Sequence, residues 1–161
     1  MKKMNNKGFS LVELIIVIAI MAILIVVLAP QYLKYVEKSR NSTDLQSVTE
    51  FRDACEVWAA DPDAGSGGTT AFVDTGATNE IVVTISATGM TPNPATGAVK
   101  SALDNSGLVE TKFKCMSKTN WDSVTITGDV QPNGSISWSY TNTKGGANDP
   151  NNSFAKAMGE E

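Results

Sequence analysis

A chain of 161 residues holds one modest domain and little besides. It carries 17 acidic against 13 basic residues, a net charge of -4, no histidine and two cysteines. That balance argues against a general nucleic-acid-binding surface, and the usual catalytic base and commonest neutral metal ligand are missing. With no phosphate loop, nucleophile elbow or metal-ligand cluster either, no catalytic residue, metal site or cofactor is expected.

Residues 1–8, MKKMNNKG, are polar and basic, and Phe9 to Ala29 is apolar apart from Ser10 and Glu13. As a helix that run is about 30 Å long, the thickness of a bilayer's hydrocarbon layer. Lysines in front of it hold the start in the cytoplasm and send the rest across. An ordinary secretory signal would end in a small-x-small cleavage site, whereas this run ends in Val27-Leu28-Ala29 and then Pro30. A lipoprotein signal would need a cysteine there. A plain single-pass anchor leaves Glu13 unexplained, since a carboxylate near the centre of a membrane helix costs about 2.5–3.5 kcal/mol. Nearer one end the cost is lower, and Glu13 either snorkels, is protonated, or awaits a cation. A cut after Gly8 would place a protonated α-amino group on Phe9, four residues before Glu13. In a helical stack, a staggered neighbour brings such a terminus against Glu13 and neutralises both charges.

Lys7-Gly8-Phe9-Ser10-Leu11-Val12-Glu13-Leu14, followed by the apolar run, resembles the class III signal of type IV pilins and type II secretion pseudopilins. The resemblance is close over residues 1–40 and elsewhere extends only to general layout. It implies cleavage by a prepilin peptidase between Gly8 and Phe9, N-methylation of Phe9, and pairing of Glu13 with a neighbour's Phe9 terminus. Gly8 suits a cut, because a residue without a side chain lets a protease approach the backbone. The implied partners are identical subunits in a helical homopolymer, minor pilins, the peptidase and methylase, the membrane assembly platform, and lipid before assembly. No specific nucleic acid is expected. Removal of residues 1–8 leaves ten basic against 17 acidic residues, a body that stays soluble outside the cell.

Pro30 predicts a kink or locally unwound turn, because proline removes a hydrogen bond and crowds the preceding turn. From Gln31 to Ala60 the pattern is amphipathic: Tyr32 and Val36, then Leu45, Val48, Phe51, Cys55 and Trp58 recur at three or four. Asn41-Ser42-Thr43 is a candidate cap for a restart of the helix and a weak glycosylation pattern. The helix is expected to end at Asp61-Pro62, before a Gly/Ser/Thr-rich loop from Asp63 to Thr70. Asp61-x-Asp63-x-Gly65 lacks the later glutamate of a calcium loop and is read as a turn.

Beyond the loop, Glu80–Ser86 is the firmest strand. A helical turn is expected at Ser101–Ser106, and strands at Leu108–Cys115, Ser123–Val130 and Gly134–Tyr140. Asn133-Gly134 suits a tight hairpin turn between the last two. The tail from Thr141 reads as a surface loop with Phe154 tucked inward, and the scattered acidic residues as solvated surface. Cys55 and Cys115 are too few and too far apart for zinc. In an exported chain they would form a disulfide that staples helix to sheet. Two buried thiols are the alternative.

The expected class is α+β, with a long N-terminal helix and an antiparallel sheet on its second half. Its divisions are a leader (1–8), a membrane or filament-core helix (9–29), an amphipathic continuation (30–60) and a β-sheet head (61–161). A filament subunit is the leading function. A secretion or competence pseudopilin and a membrane-tethered binding module that never polymerises are its rivals.

Overall fold

The computed structural model describes residues 8–61, 72, 80–93, 97–131 and 135–159. The chain divides into two compact units, Met1–Lys38 and Ser39–Glu161. One helix, α1 (Leu11–Ala60), contributes to both.

In the first unit a short non-helical start, Gly8 to Ser10, leads into α1, and every large apolar side chain from Leu11 to Leu28 is exposed. Many of these residues are β-branched and only moderate helix formers in water. In lipid every backbone group must bond within its own segment, which makes a helix the available solution. Among the described residues this is the one helix long and apolar enough to cross a membrane. The unwound turn expected at Pro30 is absent, for α1 runs through it. Proline supplies no N–H to the Val26 carbonyl, but losing one bond does not break a helix that is bonded on both sides.

In the second unit α1 continues to Ala60, where the expected end lies. No restart occurs at residues 41–43. Thr43 Oγ1 instead donates to the Ser39 carbonyl at 3.1 Å, and Ser47 Oγ to Thr43 at 3.0 Å, a back-bonding that lets hydroxyl residues stay inside a helix.

The remaining elements are β1 (Glu80–Ser86), β2 (Gly89–Asn93), α2 (Ala98–Asn105), a 3-10 turn (Glu110–Lys112), β3 (Ser123–Val130), β4 (Ile136–Lys144), β5 (Ala147–Asn148) and α3 (Ser153–Met158). The strands form one antiparallel sheet in the order β2-β1-β3-β4-β5. Ile81, Val83 and Ile85 of β1 and Val124, Ile126 and Val130 of β3 point into the core. They meet Val48, Phe51 and Cys55 of α1 and Leu103 of α2. Arg52 Nη1 donates to the Tyr140 hydroxyl at 3.0 Å, and Trp138 Nε1 to Glu56 at 3.0 Å, so polar contacts frame the helix-to-sheet seam. Gly128, opposite Trp138 in register, leaves room for that indole, because a Cβ there would lie 2.7 Å from the ring.

Two further expectations need correction. Leu108–Cys115 is a 3-10 turn and an extended connection, not a strand. β2 pairs with β1 instead, and Pro92 is tolerated because β2 is an edge strand. The tail is not a loop: β4 runs on to Lys144, and β5 and α3 follow. Phe154 is fully buried, as expected, with its ring 5.0 Å from Trp121. The polar residues of the tail are used structurally: Asp149 accepts from the Ser153 and Asn151 N–H groups, each at 3.0 Å, and buried Asn142 accepts from Phe154 N–H at 3.2 Å. The loop at Asp63–Thr70 and the turn residues 132–134 lie outside the described residues, although β3 and β4 pair antiparallel across that turn.

Candidate processing and assembly site

Gly8, Phe9 and Ser10 precede the first turn of α1 in non-helical backbone. Phe9 is 93% exposed, and a Cβ on Gly8 would meet nothing within 4 Å. Packing in this chain therefore does not require glycine at position 8. Glu13 stands in the first turn, and its Oε2 accepts from the Ser10 backbone N–H at 2.9 Å. Ser10-Leu11-Val12-Glu13 is half of a capping box, in which the glutamate three residues on satisfies the cap residue's own N–H. The negative carboxylate also suits the positive end of the helix dipole. This local role was readable from the Ser-x-x-Glu spacing but was not part of the sequence reading.

The two cysteines do not meet. Both are free and buried. Cys115 Sγ donates to Asp44 Oδ2 at 3.6 Å. Asp44 precedes Cys55 by three turns of α1, about 16 Å along the axis, whereas disulfide partners need Cα atoms within about 7 Å. The expected bridge is absent, and the buried-thiol alternative describes the structure. Burial, reinforced by the charge of Asp44, pushes the Cys115 thiol up to about 12. Burial raises the Cys55 thiol as well. Both are protonated and poorly nucleophilic at neutral pH.

Asp44 is the residue that the sequence reading missed. It is 4% exposed, against the expectation that acidic residues are solvated surface. Its carboxylate accepts from the N–H groups of Met116 and Ser117 at 2.7 and 2.9 Å, and from Trp121 Nε1 at 2.7 Å. One buried charge thus pins the segment leading into β3, with the donors that a buried carboxylate requires. The signal for it is positional: Asp44, Val48, Phe51 and Cys55 fall at i, i+4, i+7 and i+11, on one stripe. Among the described residues, no group of three or more His, Cys, Asp or Glu is placed to hold a metal ion.

Residues 3–29 match the family model described as a prokaryotic N-terminal methylation motif. The fimbrial protein EcpC of Eikenella corrodens is 32% identical over 117 residues, covering 68% of this chain and 71% of the relative. The chain belongs to the type IV pilin family. The type IV major fimbrial protein FimA of Dichelobacter nodosus is 35% identical to this pilin over 96 residues, 60% of the chain. That match spans 58% of the relative's length. No solved structure matches the chain. The matched motif contains Gly8, Phe9 and Glu13, the residues gathered at the exposed start of α1.

Proposed function

We propose that this pilin is made as a membrane-held precursor, cut between Gly8 and Phe9, methylated on Phe9, and polymerised into an extracellular filament through residues 9–29. The observation that carries the reading is the pairing of an exposed Gly8–Phe9 link with a stretch of α1, Leu11 to Leu28, whose large apolar residues all lack cover in the monomer. Fully burying a single such side chain contributes about 1.5–3 kcal/mol. Lipid covers this surface before assembly, and the helices of other subunits cover it afterwards. Residues 30–60 join that helix to a head formed by 61–161.

In the filament, Glu13 exchanges the Ser10 N–H for the positive Phe9 terminus of a neighbour, a stronger charged pair in an apolar setting. Partners on this route are the prepilin peptidase and methylase, the assembly platform, minor pilins and identical subunits. The chain is a substrate of these enzymes and performs no catalysis. The curated relatives are fimbrial proteins, which favours a pilus over a secretion pseudopilus. Substitution Gly8→Val tests the processing step: a branched side chain should block the peptidase and leave an uncut precursor in the membrane fraction. Normal cleavage of that variant would contradict the assignment.

A further inference from the structure

We propose that the unit Ser39–Glu161 binds a second copy of this chain through two unlike patches, a basic strip at Lys112–Lys118 on one copy and an acid-rimmed groove along α1 on the other. This inference rests on the polymerisation proposed above and concerns which surfaces of that unit take part.

The strip follows from the alternation that resembled a strand in the sequence. Phe113, Cys115 and Ser117 point inward, and Lys112, Lys114, Met116 and Lys118 point outward. No ladder forms along most of it. Instead Asp44 takes the N–H groups of Met116 and Ser117, and the Cys115 N–H bonds the Ser86 carbonyl at 3.0 Å. The strip is therefore held in shape before any partner arrives, which lowers the entropic cost of binding. It presents three lysines around the half-exposed Met116 in a chain of net charge -4.

The groove is its complement. Ala54, Val57 and Leu108 supply an apolar floor, and Glu50 and Asp53 stand along it. Asp61 lines the adjoining hollow beside Trp58. Val57 is 70% exposed although it sits between acidic positions on the unit's part of α1. An apolar floor with a carboxylate rim fits an apolar methionine with flanking ammonium groups. A free polyanion fits the strip alone, and the acidic chain as a whole repels it.

The two patches are also offset. Asp44, which anchors the strip, and Ala54 in the groove are ten residues apart on α1, about 15 Å along the axis. In a filament whose copies are related by a screw, the strip of one copy meets the groove of the next: every added copy fills one patch and leaves one open, so the contact extends along the fibre.

The test uses the full-length chain in cells that make filaments, scored as filament recovered by shearing at equal chain level. Failure of the unaltered chain to appear in sheared material would contradict the polymerisation reading itself and is scored first. Given filaments, the triple change Lys112→Glu, Lys114→Glu, Lys118→Glu should lower recovery at least about tenfold, as should Glu50→Lys with Asp53→Lys, because each sets like charges together. The two sets combined should restore filaments, which no folding defect would do. Either set assembling as the unaltered chain does, or no rescue in the combination, overturns the proposal. Loss with the lysine set alone would mean that the strip serves a polyanion, which also overturns it. As a second readout, Met116→Cys with Val57→Cys should give an oxidised cross-linked ladder in sheared filaments, and filaments without a ladder would count against the contact.

Discussion

Glu13 and Asp44 are both carboxylates on α1, and each answers to different neighbours. Glu13 accepts one backbone N–H at the exposed start of the helix. Glutamine at that position keeps an acceptor oxygen and therefore the cap, but it has no charge to pair with a terminal amine. Substitution Glu13→Gln is predicted to leave membrane insertion and cleavage intact and to abolish filaments. Filament yields equal to those of the unaltered chain would show that capping is the whole role of Glu13. Asp44→Asn places an amide NH2 where three N–H donors converge. The buried donors left unpaired should cost about 2–4 kcal/mol, read by thermal unfolding in detergent. A loss below about 0.5 kcal/mol, the size of an ordinary surface change, would contradict the anchoring role. Glu13 was legible through its place in the N-terminal motif. Asp44 occupies a polar break in an apolar stripe, and only its partners, more than seventy residues away, show that it is buried.

At the scale of elements, β1 and β3 were readable because both are rich in β-branched residues, and Ile81, Val83, Ile85, Val124 and Ile126 fall on the buried side of a period of two that matches their ladder. The strand expected at Leu108–Cys115 did not form although Phe113 and Cys115 keep the same period, since alternation records which side is buried and not where the backbone bonds go. β2 was hidden by Gly89, which weakens a strand, and by Pro92, which an edge strand accepts. The closing helix α3 depends on a polar network around Asp149 that composition cannot display. Hydrogen bonds from Ser153, then Asn151 and Asn142, hold the Asp149 carboxyl below the usual carboxylate range. A depressed folded-state value contributes stability above the unfolded carboxyl's pKa, about 3.9, and the contribution disappears as pH falls through the folded value. Part of the acid sensitivity of the head should therefore lie below about pH 4, and Asp149→Asn should flatten it. An unchanged acid slope in that variant would show that the network does not hold α3.

For the whole molecule, the two units divide the labour between cohesion and surface. Met1–Lys38 supplies an apolar helix in which none of the described residues is buried, and Ser39–Glu161 carries a hydrophobic core under a five-stranded sheet. Unpaired cysteines within that core mean that its stability comes from packing and the Asp44 anchor rather than from a covalent staple. A subunit built in this way should be stable only where its first half is covered, in lipid or among other copies. Mass spectrometry of the N-terminal peptide from filaments sheared off the cell surface tests this most directly. The account predicts a peptide that begins at Phe9 and carries one methyl group on its amine. Recovery only from membranes, with residues 1–8 still attached, would contradict it.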